Sequence, residues 1–86
     1  MARDANGSYL IPGNTAIEEV EDLFHIRLHS EETTTVAGFL TSVFGRVPRT
    51  GEKYDTQGVR FEVQEADHRR ISKLIARQTV PPQLPG

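Results

Sequence analysis

Four ionisable side chains stand in a row in the sequence "ADHRR", residues 66–70: Asp67, His68, Arg69 and Arg70. An adjacent aspartate and histidine suggest acid–base chemistry, but no third group that would orient them is evident. The two neighbouring arginines could hold an anion, either a phosphate or a carboxylate on a partner. A polar turn that only holds the register of two strands is the ordinary alternative, and it stays open. We take these four residues as the candidate interaction site.

Two histidines and a run of carboxylates could instead bind a metal. His25 and His29 are four residues apart, which on a helix would place both imidazoles on one face for a transition metal. They follow the predicted end of the first helix, however, and only Glu21 or Asp22 could supply a third ligand. The carboxylates of "EEVED", residues 18–22, suit magnesium, but helical spacing spreads them over a solvated face. We therefore predict no metal site and no cofactor.

The composition of the 86 residues excludes several classes of protein. No nucleophile has a base near it in sequence, so we predict no catalytic residue and no enzyme. Zero cysteines rule out disulfides and cysteine-bound zinc. Residues 1–45 carry a charge of −5 and residues 46–86 a charge of +3, an asymmetry that could steer a partner but is unlike a nucleic-acid footprint. No apolar run approaches the ~20 residues of a membrane span, so we expect a soluble domain without direct membrane insertion.

The first half of the chain predicts a short strand followed by a helix. "GSYLIPG", residues 7–13, is a brief apolar run that ends in a Pro-Gly turn. Thr15 and Glu18 have the spacing of a capping box at the start of a helix. One face of that helix is apolar and comprises Ile17, Val20, Leu23 and Phe24.

A polar connector over residues 25–35 leads to a second helix with a stronger apolar period. Its apolar face comprises Val36, Phe39, Leu40, Val43 and Phe44. Gly45 should end this helix with a positive φ, and Pro48 prevents its continuation.

The remaining residues predict a β-hairpin whose tip is the "ADHRR" segment. Val59, Phe61 and Val63 alternate with polar residues, so one face of this strand should be buried. On the return strand Ile71 and Leu74 are three residues apart, which does not fit a regular strand with one apolar face. Either a bulge lies near the tip or Ile71 packs on the opposite side.

Four segments of the chain, in this order and spacing, resemble the CorC/HlyC transporter-associated domain. They are "GSYLIPGNTAIEEVEDLF", "TVAGFL", "FGRVPRTGE" and "GVRFEVQEADHRRISKL". The resemblance places the domain at residues 7–77, with flexible ends at residues 1–6 and 78–86. It implies an α+β fold in which a small antiparallel sheet packs against two helices in two layers, a fold also grouped with a flavin-binding subdomain. The matching positions read as turn and core residues and bring no catalytic motif: Pro12, Gly13, Leu40, Gly45, Pro48, Gly51, Phe61, Val63, Ala66 and Asp67.

The resemblance also implies a context and partners. Such modules follow a pair of CBS domains, often after a membrane domain that moves magnesium or cobalt. The resemblance therefore implies a non-catalytic regulatory or interaction module at the cytoplasmic face of a membrane. The implied partners are the upstream CBS domains and membrane domain, with a homodimer possible. The alternative is a small-molecule binding domain for an adenine nucleotide or a flavin, which rests on analogy of fold alone.

Overall fold

The computed structural model describes the backbone of residues 2–3 and all of residues 7–28 and 33–79. Within these residues the chain forms one sheet and two helices, in the order β1 (Ala2–Arg3), β2 (Tyr9–Pro12), α1 (Ile17–Phe24), α2 (Val36–Phe44), β3 (Lys53–Thr56), β4 (Val59–Ala66) and β5 (Ile71–Gln78). The strand order is β1-β2-β5-β4-β3, and every neighbouring pair is antiparallel. β1 lies outside the predicted domain limits of 7–77, and those limits stay a prediction.

One face of the sheet shares a single hydrophobic core with both helices. Val59, Phe61 and Val63 of β4 are buried and alternate with more exposed residues, as predicted. The register places Phe61 opposite Ala76 and Val63 opposite Leu74 on β5, and these partners are buried too. Apolar side chains from α1 and α2 complete the same cluster. The predicted α+β fold, a small antiparallel sheet packed against two helices, is therefore confirmed.

α1 has the predicted apolar face, but its N-terminus is not capped as predicted. The N-cap residue is Ala16, which offers no side-chain cap, so the capping box of Thr15 and Glu18 is wrong. The backbone N–H of Ile17 instead donates to the carbonyl of Thr34, 2.8 Å away. A neighbouring segment of backbone thus replaces the side-chain cap, and this long-range partner has no local sequence signal.

The connector after α1 is less polar than its sequence predicts. Of residues 25–35, Ile26 and Leu28 are buried members of the core. The side-chain amide of Gln57, in the turn between β3 and β4, accepts from the backbone N–H of Arg27 at 3.0 Å and donates to its carbonyl. The prediction of a polar connector is therefore corrected: Ile26 and Leu28, at the start of the connector, are part of the hydrophobic core.

α2 follows its prediction closely at both ends. The Thr35 hydroxyl accepts from the backbone N–H of Gly38 at 3.1 Å and caps the helix. Gly45 ends it with φ of 75°, in the left-handed region that favours glycine. Val43 is the exception on the predicted apolar face, since it is 42% exposed. Neither α1 nor α2 is long and apolar enough to cross a membrane.

A bulge near the hairpin tip resolves the irregular spacing of the return strand. Ile71 and Leu74 are both buried, at 1% and 0% exposure. The pairing shifts register on both strands, so that Gln64 on β4 and Ser72 on β5 are extra residues without a ladder partner. Ser72 and Lys73 are consecutive exposed residues, which returns Ile71 to the core side. The bulge alternative is confirmed, and packing of Ile71 on the opposite side is wrong.

Candidate functional site

The backbone of the hairpin tip, residues 67–70, is held by Asp67. Its Oδ1 atom accepts from the backbone N–H of Arg69 at 2.7 Å and from that of Arg70 at 3.0 Å. The backbone N–H of Asp67 in turn donates to the carbonyl of Arg70 at 3.0 Å. Asp67 therefore shapes the turn, in the manner of aspartates that bind backbone two residues ahead.

These hydrogen bonds also set the charge of the carboxylate. The backbone N–H of Arg69 lowers the pKa of Asp67 below its usual value, and that of Arg70 lowers it further. Asp67 is consequently ionised at neutral pH and accepts hydrogen bonds rather than donating a proton. Its described hydrogen bonds run to backbone amides and not to the His68 ring, which gives no support to an acid–base pair.

Arg69 and Arg70 line a cleft of about 510 Å³ between the tip and α2, here called the tip cleft. Its described lining also comprises Gly13, Asn14, Thr33, Thr35, Ala37, Gly38, Thr41, Ser42 and Ile71. The polar members other than the arginines carry hydroxyl or amide groups. No carboxylate is among these described residues, so the cleft combines two positive charges with neutral hydrogen-bonding groups.

Gly13 connects the two walls of the tip cleft. Its backbone N–H donates to the carbonyl of Ser72 at 2.9 Å, and its own carbonyl accepts from the N–H of Ala37 at 3.0 Å. A Cβ atom on Gly13 would lie 2.1 Å from the carbonyl oxygen of Ile71. Only glycine permits this approach of β2 to β5, and the approach fixes the first turn of α2 against the hairpin.

Asp67 and His68 line a second cleft of about 870 Å³ on another side of the tip. There Arg46 and Glu52 form a two-pronged ion pair, with both nitrogen–oxygen distances 2.8 Å. Glu52 also accepts from the backbone N–H of Arg49 at 2.6 Å. The Arg46 hydrogen bond, followed by that of the Arg49 backbone, lowers the pKa of Glu52 to about 2. The four predicted site residues are thus divided between two clefts, with the tip as the ridge that separates them.

The arginines in the second half of the chain differ in their partners. Arg46 and Arg60 each pair with a carboxylate at 2.8 Å. Arg69 and Arg70 of the tip have no ion pair with any residue in the described ranges 7–28 and 33–79; Arg49 has none either, but it lines the second cleft and not the tip cleft. Because unpaired guanidinium groups attract anions, the tip is the part of the described surface best suited to bind one.

The predicted absence of a metal site stays a prediction. His25 is the left-handed residue that ends α1, with φ of 57°, and His29 lies outside the described residues. Glu21 is engaged, since its Oε2 atom accepts from the backbone N–H of Leu28 at 2.7 Å. Over residues 7–28 and 33–79, no group of three or more histidine, aspartate or glutamate side chains is placed to hold a metal ion.

Sequence reasoning found the arginines but missed the opposite wall of the tip cleft. Thr41 and Ser42 lie on the side of α2 away from its apolar face, and the helical period of the sequence already places them there. Nothing local predicts that this side of α2 meets the hairpin tip, because the contact depends on the approach of Gly13 to β5.

The chain is similar to several proteins of known family. A model of the transporter associated domain, CorC_HlyC, matches residues 2–79. The magnesium and cobalt efflux protein CorC of Salmonella typhimurium is 34% identical over 70 residues, which is 81% of this chain and 24% of that protein. The chain therefore spans about a quarter of the length of the curated relatives it matches.

Solved structures show the same fold. The CorC_HlyC domain of Nitrosomonas europaea is 28% identical, covers 91% of this chain and 94% of that one, and has a TM-score of 0.82. A Xylella fastidiosa hemolysin domain in complex with magnesium and manganese is 36% identical, covers 91% and 95%, and has a TM-score of 0.80. The domain of a CBS domain protein from Porphyromonas gingivalis, at 23% identity, 90% and 94% coverage and a TM-score of 0.73, shares the fold. Sequence and fold agree over nearly the whole chain, which belongs to the CorC_HlyC transporter associated domain family.

Proposed function

We propose that this chain is a non-catalytic regulatory or interaction module of a larger CBS-domain membrane protein, and that it modulates the transport of divalent cations. The observation that carries the proposal is the match to one quarter of a magnesium and cobalt efflux protein over four fifths of this chain. A module of this size would act through contacts with the rest of its protein. Its partners would be the CBS domains and the membrane domain, at the cytoplasmic face of the membrane.

The hairpin tip is the surface that we assign to this contact. Arg69 and Arg70 have no ion pair among the described residues, and the hydrogen bonds of Asp67 hold the turn without them. Folding therefore does not depend on either guanidinium group in an evident way. A charge-assisted contact of this kind contributes roughly 1.5–3 kcal/mol when it is partly desolvated. The tip can thus recognise an anionic group with little change to the stability of the domain.

The alternative of an adenine or flavin site receives less support. Such rings bind mainly by stacking and by burial against apolar or aromatic side chains. Neither cleft beside the tip has a phenylalanine, tyrosine or tryptophan in its described lining, and the one aromatic ring among those lining residues is the exposed imidazole of His68. The regulatory module is therefore the function that we favour.

A chimaera tests the proposal without changing the membrane part. This chain would replace the matching quarter of CorC from Salmonella typhimurium, and cobalt efflux would be measured in cells that lack their own CorC. We expect the chimaera to export cobalt and its R69A/R70A variant to export less at equal protein levels. R49A/R77A is the matched control, because it removes the same charge from two other exposed arginines and should keep efflux at the level of the unmodified chimaera.

Two results would contradict the proposal, the first its regulatory role and the second the assignment of that role to the tip. One is unchanged efflux when the matching quarter of CorC is deleted altogether. The other is equal efflux from the chimaera and its R69A/R70A variant, which would leave the tip as an ordinary solvated turn.

A further inference from the structure

We propose that the tip cleft binds the phosphate group of a small phosphomonoester. This inference rests on the proposed role of the tip in recognising an anion, and it adds the chemistry of that anion and its location within this domain. The cleft is lined by Arg69 and Arg70 on the hairpin and by hydroxyl-bearing residues at both ends of α2. Its volume of about 510 Å³ lies within the range of roughly 300–1,000 Å³ of small-molecule sites.

The charge of the cleft favours an anion. Both guanidinium groups lack an ion pair within residues 7–28 and 33–79, and the described lining contains neither aspartate nor glutamate. The nearest carboxylate on the tip, Asp67, is occupied by two backbone amides and lines the other cleft. An anion in the tip cleft would therefore meet two positive charges and no carboxylate in the described lining, while the Asp67 carboxylate, whose charge attracts Arg70, lies on the side of the second cleft.

The hydroxyl groups favour phosphate over carboxylate. The hydroxyls of Thr33 and Thr35 are 3.4 Å apart, and each already accepts a backbone N–H, from Thr35 and Gly38 respectively. Their mutual contact uses one of the two hydroxyl hydrogens, which leaves the other free to donate. Thr41 and Ser42 add two hydroxyls without a hydrogen bond to any described residue. Two guanidinium groups and three hydroxyl hydrogens that no described residue uses exceed what the two oxygens of a carboxylate require, and they suit the three terminal oxygens of a phosphomonoester.

The walls of the cleft are fixed before any ligand binds. Asp67 holds the tip, and the backbone of Gly13 bonds both to Ser72 beside the tip and to Ala37 in α2. Binding would therefore order the two arginine side chains and little backbone, which reduces the entropic cost of association. The described lining has no aromatic side chain, so the rest of the ligand is a polar group such as a sugar rather than a stacked base.

The test is a titration of the 86-residue chain, followed by calorimetry and by amide chemical shifts. The probes are inorganic phosphate, ribose 5-phosphate, ribose and acetate. We expect one site for ribose 5-phosphate and for phosphate, with shifts at Gly38, Thr41 and Arg70, and weaker or absent binding of ribose and acetate. R69A/R70A should weaken phosphate binding at least about tenfold, which corresponds to about 1.4 kcal/mol. R49A/R77A, with the same net charge, should bind as the unmodified chain does.

A second double variant keeps the test decisive if R69A/R70A is less stable than the unmodified chain. Replacing both arginines by lysine keeps the charge and removes the two-pronged geometry of the guanidinium groups, so phosphate binding should still weaken. If the alanine pair lowers the unfolding midpoint, the lysine pair decides the outcome. Binding by the lysine pair at the unmodified level would overturn the proposal, because a general attraction of charge would then explain it.

Three further results would also overturn it: no saturable binding of phosphate, equal weakening in R49A/R77A, or binding that arises only in E31Q/E32Q. Glu31 and Glu32 precede Thr33 in sequence, and the last result would mean that the chain's own carboxylates occupy the arginines. The titration is independent of transport. If the chain binds phosphate but the R69A/R70A chimaera exports as much cobalt as the unmodified chimaera, the phosphate site stands and its regulatory function does not. If that variant exports less but the chain does not bind phosphate, the regulatory function stands and the phosphate site does not.

Discussion

At the scale of single residues, the four consecutive ionisable side chains of the tip have different tasks. The carboxylate of Asp67 holds the turn through two backbone amides, which leaves the arginines without a structural task among the described contacts. The sequence brought these residues to notice because of their types. The sequence could not assign their separate roles, because it does not distinguish an aspartate that accepts hydrogen bonds from the backbone from one that binds a ligand. The division between turn former and recognition groups follows from the positions of the amides.

The pair of Arg46 and Glu52 makes stability depend on pH in an acidic window. Hydrogen bonding by Arg46, and then by the Arg49 backbone, lowers the pKa of Glu52 to about 2, from an ordinary value of 4.5. The unfolded state therefore binds a proton first as pH falls, so the stabilisation is complete above pH 4.5 and is lost between pH 4.5 and about 2. We expect the urea midpoint to fall over this window, and to fall less in Glu52→Gln.

A second variant identifies the cause of this pH dependence. Arg46→Ala removes the larger contribution to the lowered pKa of Glu52 and should reduce the slope in the same direction. A residual slope should remain in both variants, because hydrogen bonds to Arg60 and to the Arg69 backbone lower the pKa of Asp55 and Asp67 respectively. Identical urea midpoints for Glu52→Gln and the unmodified chain at every pH would show that this ion pair does not stabilise the fold.

Phe61 is the residue whose truncation should cost most. Among the described residues it is the largest side chain that is completely buried, at 0% exposure, and it is the third residue of β4. Truncation of a buried phenylalanine to alanine lowers the free energy of unfolding by about 3–5 kcal/mol, through lost burial and the cavity that remains. Phe61→Ala should therefore shift the urea midpoint strongly or prevent folding. Val43→Ala, at a 42% exposed site on α2, is the control and should shift the urea midpoint little. An unchanged urea midpoint for Phe61→Ala would contradict the assigned core.

At the scale of elements, local periodicity predicted the helices and the long hairpin. The i, i+3, i+4 spacing of α2 and the alternation of β4 each describe one element, and both faces pack as predicted except at Val43. The bulge was one of two alternatives, because the three-residue spacing of Ile71 and Leu74 fits either an extra residue between them or an Ile71 that packs on the opposite side of the sheet. Periodicity therefore predicts which side of an element is buried, but it does not predict which other element packs against that side.

Apart from the missed strand β3, the main failures at this scale involve partners that are distant in sequence. The start of α1 is bound by the carbonyl of Thr34, and the Arg27 backbone is bound by Gln57, thirty positions away. β3 gave no strand pattern of its own, because its four residues "KYDT" are exposed or half-buried on an edge of the sheet. The tip cleft belongs to the same class, since its second wall is another element that reaches the tip through Gly13.

Gly13 should be the most sensitive glycine for the junction of β2, β5 and α2. In Gly13→Ala the new methyl carbon would lie 2.1 Å from the carbonyl oxygen of Ile71, which is backbone and cannot rotate away. Overpacking of this kind costs typically 1–3 kcal/mol. We expect a lower melting temperature and weaker amide protection at Gly13 and Ala37, whose hydrogen bonds join the three elements. Asn14→Ala, at the exposed neighbouring position, is the control. Equal melting temperatures for the two variants would show that the junction accommodates the added methyl group.

At the scale of the whole molecule, the uneven charge of the sequence corresponds to two different ends. The Gln57–Gly58 turn precedes β4 and the tip follows it, so they lie at opposite ends of that strand. Glu21, Asp22 and His25 surround a shallow cleft beside Arg27, whose backbone is bound by Gln57. Glu21 and Asp22, at the end of α1, are therefore near the end of the sheet opposite Arg69 and Arg70. This arrangement would orient the domain toward an anionic partner by its tip.

The acidic end gives the last prediction, which concerns divalent metals. A Xylella fastidiosa relative was solved in complex with magnesium and manganese, so metal binding by this chain must be measured. In this chain the Glu21 carboxylate is engaged by the Leu28 backbone, and the described residues supply no set of three metal-binding side chains. Magnesium and calcium sites need several oxygen ligands, and transition metals need a convergent set of imidazoles and carboxylates.

We therefore expect calorimetric titrations of this chain with magnesium, manganese, cobalt and zinc to show only weak heats that decrease with added salt. His25→Ala and Asp22→Asn, which alter the acidic cleft, should leave these heats unchanged. A stoichiometric site that persisted in high salt and disappeared in His25→Ala would show that the acidic end binds metal. The domain would then sense a divalent cation directly, at the end opposite its arginine-bearing tip.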